Sequence, residues 1–272
     1  MAGERPNYPR RRMIAALVVI AAIAIIVTAV VLVARGIGGV ETGEATSPPA
    51  PSSAPSATPT PAAAEEVEAE TPPPLPAIGT CWGDPGDVTV LVNKHHPLCP
   101  LDYYPELASV DSTGGELRPE AANAMNAMNA ALEAETGLWL FSASAFRSYD
   151  TQISTYGGWV EQDGQAVADT YSARPGHSEH QTGLAMDVGA SSCGCTDEPF
   201  GYTPEGEWVA QNAWRFGFIV RYPQGYEWMT GYIWEPWHLR YVGPQVAATM
   251  HDAGIATLEE YYRTGPAADY AG

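Results

Sequence analysis

Lysine is all but missing from this chain: Lys94 is the single one in 272 residues. Basic side chains number 13 against 32 acidic ones, a formal charge of −19. Five of the basic residues, Arg5, Arg10, Arg11, Arg12 and Arg35, precede residue 40, so the remainder is more acidic still. Such a surface repels phosphate, which sets nucleic acid aside as a partner. No fixed-period repeat runs along the chain. Cysteine is sparse, with Cys81, Cys99, Cys193 and Cys195. An even count in an exported chain suggests disulfides, with three possible pairings. Cys81–Cys99 and Cys193–Cys195 are favoured, the second closing a tight loop through Gly194. Free thiols or a thiolate metal site are the alternatives, though Cys-Gly-Cys is a poor spacing for zinc.

What is present divides into regions. Residues 1–12 end in Arg10-Arg11-Arg12 and precede an unbroken apolar run at 13–34. That run matches the ~20 residues needed to cross a bilayer, and the arginines predict a cytoplasmic N-terminus. A cleaved signal peptide is the alternative, but its apolar region is usually only about 7–15 residues. Residues 35–77 are rich in Pro, Ala, Ser, Thr and Glu and read as a disordered, partly extended spacer. Residues 78–272 have a globular composition. The expectation is a single-pass membrane protein with its folded domain outside the cell, most simply a monomer.

Within that domain residues 118–135 read as a helix ended by Gly137, and 138–144 as a strand. "SYDTQISTYGGWVEQDG" reads as a helix that breaks at glycine. Residues 183–190 read as a strand, and 203–217 as a helix with Thr203 as N-cap, Pro204 at its first position and Gly217 as its stop. "FIVRY" and "WHLRYVG" read as strands, and a further helix starts at Pro244. Strands and helices mix without βαβ alternation, which predicts an α+β fold: a small antiparallel sheet with flanking helices.

Two imidazoles and a carboxylate, His180, Asp187 and His238, make a sound catalytic zinc set that leaves a coordination position for water. Glu235, three residues before His238, can sit beside such a metal without ligating it and carry a proton from water to the leaving amine. A histidine in a strand also serves as an ordinary core residue, and residue types alone leave both readings open. Trp234 and Trp237 read as partly core, walling the site from water. His177 reads as a solvent-facing loop residue, and His95, His96 and His251 carry no catalytic role.

"SEHQTGLAMD" (Ser178 to Asp187) resembles the S-x-H-x-x-G-x-A-x-D signature of the zinc D-alanyl-D-alanine carboxypeptidase/dipeptidase family, relatives of lysostaphin-type peptidases and the hedgehog signalling domain. "EPWH" (Glu235 to His238) resembles its second signature, E-x-W-H. "AFRSYDTQ" (Ala145 to Gln152) is similar to its arginine-bearing segment. "LVNKHHPL" and "NAWRFGFIVRYPQG" are similar to the vancomycin-resistance-type D,D-carboxypeptidases. The resemblance covers about residues 88 to 255. It implies one Zn2+ per domain on His180, Asp187 and His238, Glu235 as general base, and Arg147 stabilising the oxyanion. It places Ser178 and Gln152 at the substrate, and Gly183 at a close approach or an unusual φ. The implied substrate is a peptidoglycan stem peptide ending in D-Ala-D-Ala. A D,D-dipeptidase or crosslink endopeptidase would use the same metal site. A non-catalytic cell-wall-binding domain would need neither Glu235 nor Arg147.

Overall fold

The computed structural model of the protein describes residues 79–270. The expected anchor at 13–34 and spacer at 35–77 lie outside the described residues. Among the described residues no helix is long and apolar enough to cross a membrane.

In chain order the elements are β1 (Ala108–Ser109), β2 (Glu116–Leu117), α1 (Pro119–Thr136), β3 (Leu140–Ser144), α2 (Tyr149–Asp163), α3 (Gln165–Ala168), a 3₁₀ turn (Glu179–Thr182), β4 (Ala185–Ala190), a second 3₁₀ turn (Glu198–Tyr202), α4 (Pro204–Asn212), a third 3₁₀ turn (Ala213–Phe216), β5 (Phe218–Tyr222), α5 (Glu227–Thr230), β6 (Glu235–Tyr241), α6 (Pro244–Ala253) and α7 (Leu258–Tyr262). Four strands form an antiparallel sheet in the order β3-β4-β6-β5, and β1 pairs with β2 in a separate small hairpin. The expected α+β class holds.

α1 forms because alanine, methionine and leucine favour the helix and Pro119 needs no N–H partner in the first turn. It stops at Gly137, whose φ of 75° returns its N–H to Glu133 O. Its buried Met125, Met128 and Leu132 share one apolar cluster with Leu140, Met186, Val188 and Leu239 of the sheet. Each such burial contributes about 1.5–3 kcal/mol. Asn129 lies on the same face and is kept satisfied. Its Oδ1 accepts from Leu140 N at 2.7 Å, and its Nδ2 donates to Ser112 O and Leu140 O. This side chain fixes where β3 leaves the helix. A second, smaller cluster (Leu91, Ile219, Val242, Ala247, Met250, Leu258) joins β5 to α6 and α7.

α2 does not break at its internal glycines. It runs through Gly157 and Gly158 and ends at Gly164. Side chains flanking the pair hold it: Tyr156 Oη donates to Asp169 Oδ1 at 2.7 Å, and Trp159 packs edge-on against Tyr171. The helix expected at 203–217 has Thr203 as its N-cap, but tightens to 3₁₀ at Ala213 before Gly217 ends it. The hairpin of β1 and β2 and the short α7 were not anticipated.

Cys81 is joined to Cys99 and Cys193 to Cys195. Lys94 is buried, its Nζ donating to Gly231 O at 2.7 Å and Ala268 O at 3.0 Å. The ammonium also lies over the rings of Tyr232 and Tyr270. One cation thus ties the segment near residue 94, the turn before β6 and the C-terminal tail together.

Candidate active site

Register builds the centre of the site. In the antiparallel pairing of β4 and β6, Asp187 lies opposite His238. Side chains alternate across a strand, so both point away from the core face that carries Met186, Val188 and Leu239. His180 arrives from the 3₁₀ turn before β4. That turn closes at Gly183, with φ 70°, where a Cβ would lie 3.0 Å from Arg118 Cγ and 3.1 Å from Pro105 Cγ. Both features expected of Gly183, unusual φ and close approach, are therefore present.

His180 Nε2 lies 3.2 Å from Asp187 Oδ2, and His238 Nδ1 lies 2.9 Å from Asp187 Oδ1. One ligand atom from each of the three side chains falls within 4.8 Å of the others. The donor set suits a divalent cation, as three observations show. His180 Nδ1 is 2.7 Å from the Ala145 carbonyl, which can only accept, so Nδ1 carries the proton. Burial, with Arg147 nearby, lowers the pKa of His180, so the ring is neutral and its bare Nε2 faces a carboxylate. Burial opposes ionisation of Asp187, but the positive charge of His238, pushed up to about 9 by Asp187 and Glu179 against its own burial, outweighs it and holds the carboxyl far below the usual carboxylate range. Two acceptors turned toward each other call for a cation between them.

Glu235 begins β6, and its Oε2 is 3.7 Å from His238 Nδ1. Burial, reinforced by the charge of Asp187, raises its pKa to about 8, with His238 and Arg147 offsetting only part. A carboxyl tuned there can take and return a proton near neutrality. Arg147 precedes α2, whose N-cap Ser148 accepts from Thr151 N. It lines a cleft of about 330 Å³ together with His180, Asp187, Glu235 and His238. Burial works against its guanidinium, and Asp187 and Glu235 support it.

Ser178 and Gln152 are both buried and line the same cleft. Gln152 donates to Ala173 O at 2.6 Å, so part of its role is to hold the cleft wall. Trp237 lines the cleft, whereas Trp234 packs against Tyr202 outside it. His177 is not solvent-facing. It is half-buried, with Nδ1 2.7 Å from Asn93 O and its ring edge-on to Tyr270, because the 176–178 segment folds under the chain near residue 93.

The sequence reading passed over Glu179. It is fully buried, and its Oε1 accepts from Arg221 Nε (2.8 Å) and Arg240 (2.9 Å). Its Oε2 lies 3.7 Å from His238 Nε2. Arg221 also donates twice to Glu259, which accepts from Asn93 as well. Arg221 and Arg240 at inward positions of β5 and β6 were the available signal, since a buried guanidinium requires a carboxylate. The same reading passed over Tyr222, which lines the cleft with its ring centroid 4.9 Å from that of His238. It also passed over an apolar cleft wall of Trp159, Tyr171 and Ile233.

Residues 114–244 match the family VanY, D-alanyl-D-alanine carboxypeptidase. The chain is 42% identical over 189 residues to the putative carboxypeptidase YodJ of Bacillus subtilis (strain 168), covering 66% of this chain and 68% of that protein. Among solved structures it resembles the LD-carboxypeptidase LdcB, with 42% identity, a TM-score of 0.62, and coverage of 66% of this chain and 87% of that one. It also resembles the vancomycin-resistance D,D-pentapeptidase VanY of a VanB-type cassette, solved as a variant with Zn(II). There the identity is 33%, the TM-score 0.56, and the coverage 64% of this chain and 98% of that one.

Proposed function

The chain belongs to the VanY family of D-alanyl-D-alanine carboxypeptidases and is a peptidase, and from that premise we propose that it is a zinc D,D-carboxypeptidase that removes the terminal D-Ala of peptidoglycan stem peptides. The observation that carries this reading is that His180, Asp187 and His238 face one another beside Glu235. His180 Nε2, Asp187 and His238 Nδ1 would hold the metal. Zinc there supplies a Lewis acid that makes water nucleophilic at neutral pH.

Glu235 takes the proton of the attacking water and passes it to the amine of the departing D-Ala. The hydrolysis consumes one water: its oxygen first adds to the carbonyl carbon, and the C–N bond then breaks as the amine takes up the proton, leaving a carboxylate and free D-Ala. The Arg147 guanidinium donates to the scissile carbonyl oxygen as negative charge gathers on it. Ser178 and Gln152 contact the bound peptide from the cleft wall. The apolar run 13–34 behind Arg10-Arg11-Arg12 supports placing this activity at the outer face of a membrane.

A second reading, an L,D-carboxypeptidase acting on tetrapeptide stems, is favoured by the higher identity to LdcB, 42% against 33% for the D,D-pentapeptidase. Free D-Ala released by the full-length protein from pentapeptide and from tetrapeptide stems, with zinc and with chelator, tests both. Zinc-dependent release from the pentapeptide supports the first reading, and release from the tetrapeptide alone transfers the assignment to the second. No release from either by zinc-loaded protein removes the carboxypeptidase assignment.

A further inference from the structure

His180 and His238 are held by different kinds of partner. Nδ1 of His180 is 2.7 Å from a neutral backbone carbonyl. Behind His238, on the side away from Asp187, lies a carboxylate: Glu179 Oε2 faces Nε2 at 3.7 Å. This is an ion-pair distance rather than a hydrogen bond. Both atoms are buried, and neither has another hydrogen-bond partner. The other oxygen of Glu179 is taken by Arg221 and Arg240, and Arg221 is paired in turn with Glu259. Two carboxylates and two guanidiniums make a group with no net charge. It therefore holds one anion behind His238 without leaving an unbalanced charge in the interior.

Resting on the zinc reading above, we propose that Glu179 is a positioning residue for the metal. As an anion it faces the Nε2–H of His238 and so favours the tautomer that presents Nδ1, as a lone pair, to the cation. The register supports this choice of nitrogen, because Nδ1 is the atom turned toward Asp187, at 2.9 Å. The Tyr222 ring, centroid 4.9 Å away, limits rotation of the imidazole. Carboxylate partners of this kind make a ligating histidine more basic and fix its tautomer. Arg221, Arg240 and Glu259 act one step further back: they hold Glu179 ionised and in place.

The test compares zinc affinity, by competition with a chromophoric chelator, in full-length wild type, Glu179→Gln and Glu259→Gln. Both variants disturb Arg221, but only the first alters what His238 faces. Glu179→Gln should weaken zinc binding on the order of 10–100-fold, while Glu259→Gln lowers thermal stability and leaves zinc affinity within about threefold of wild type. Equal affinities in Glu179→Gln and wild type, or equal losses in both variants, overturn the proposal. Should Glu179→Gln not fold, nitrogen NMR of the His238 ring in zinc-loaded wild type decides. A proton on Nε2 and none on Nδ1 supports the proposal, and a proton on Nδ1 overturns it. Absence of zinc binding in wild type would instead remove the metal reading itself.

Discussion

Glu235 and Glu179 are both buried, and each has an oxygen 3.7 Å from a nitrogen of His238, one on either side of the ring. They behave oppositely. Burial with the charge of Asp187 raises the pKa of Glu235 to about 8. Burial of Glu179 is outweighed by Arg221 and Arg240, which hold it far below the carboxylate range. Equal burial therefore does not give equal chemistry. The placement of two guanidiniums decides which carboxyl can exchange a proton and which stays an anion. The cleft side of His238 is left electrostatically uncompensated, and that is the side on which a reaction needs a base. The rear side is fully paired, and that is the side on which a ligand needs a fixed support.

The comparison breaks first at the base. Glu235→Gln should cost about 10²–10⁴-fold in D-Ala release while zinc content, read by mass spectrometry of the metal, stays at wild type. Loss of the metal along with activity would mean that Glu235 is not distinct from the ligands. On the rear side, Arg221→Met leaves Glu179 and Glu259 underpaired and should destabilise the fold by about 3–5 kcal/mol in denaturant titration. A variant as stable as wild type would show that the pairing contributes nothing there. Arg147→Ala should lower turnover by about 10²–10³-fold with zinc retained and the melting curve little changed, and substantial residual turnover would contradict its role at the oxyanion.

A smaller effect sharpens the contrast by pH. In zinc-stripped protein the folded-state pKa of Glu235 is about 8 against an ordinary 4.5. The folded state then binds the extra proton between these values, so this group's contribution to stability falls as pH rises from 4.5 to 8. Glu235→Gln should accordingly match wild type near pH 4.5 and surpass it by pH 8 in thermal melts with chelator present. Glu179, lowered rather than raised, has the opposite sign. Its contribution is complete above the ordinary value and is lost only as pH falls well below it. Identical pH profiles for wild type and Glu235→Gln would show that Glu235 is not held in its neutral form.

Local patterns carried much of this architecture. Helix α1, the strands through Asp187 and His238, and the cap at Thr203 follow from periodicity, proline and glycine over short stretches of chain. Residue type marked His180, Asp187, His238 and Glu235 as one possible metal set, and the resemblance of their two motifs to a known family chose that reading over ordinary core residues. Glu179 was not legible, because its meaning depends on Arg221 and Arg240, separated from it by 42 and 61 residues. His177 was misjudged for the same reason, since its partner Asn93 is 84 residues away. The continuity of α2 through Gly157 and Gly158 depends on Asp169 and Tyr171, which lie beyond the helix's own end.

The burial of Lys94 has a practical side. With the one lysine side chain of the protein held by Gly231 O and Ala268 O, the native domain offers amine-reactive reagents no accessible side-chain target. Acylation at that position reports instead on how often the C-terminal tail lifts away. A single covalent tag at that side chain can thus time the opening of the segment beside β6.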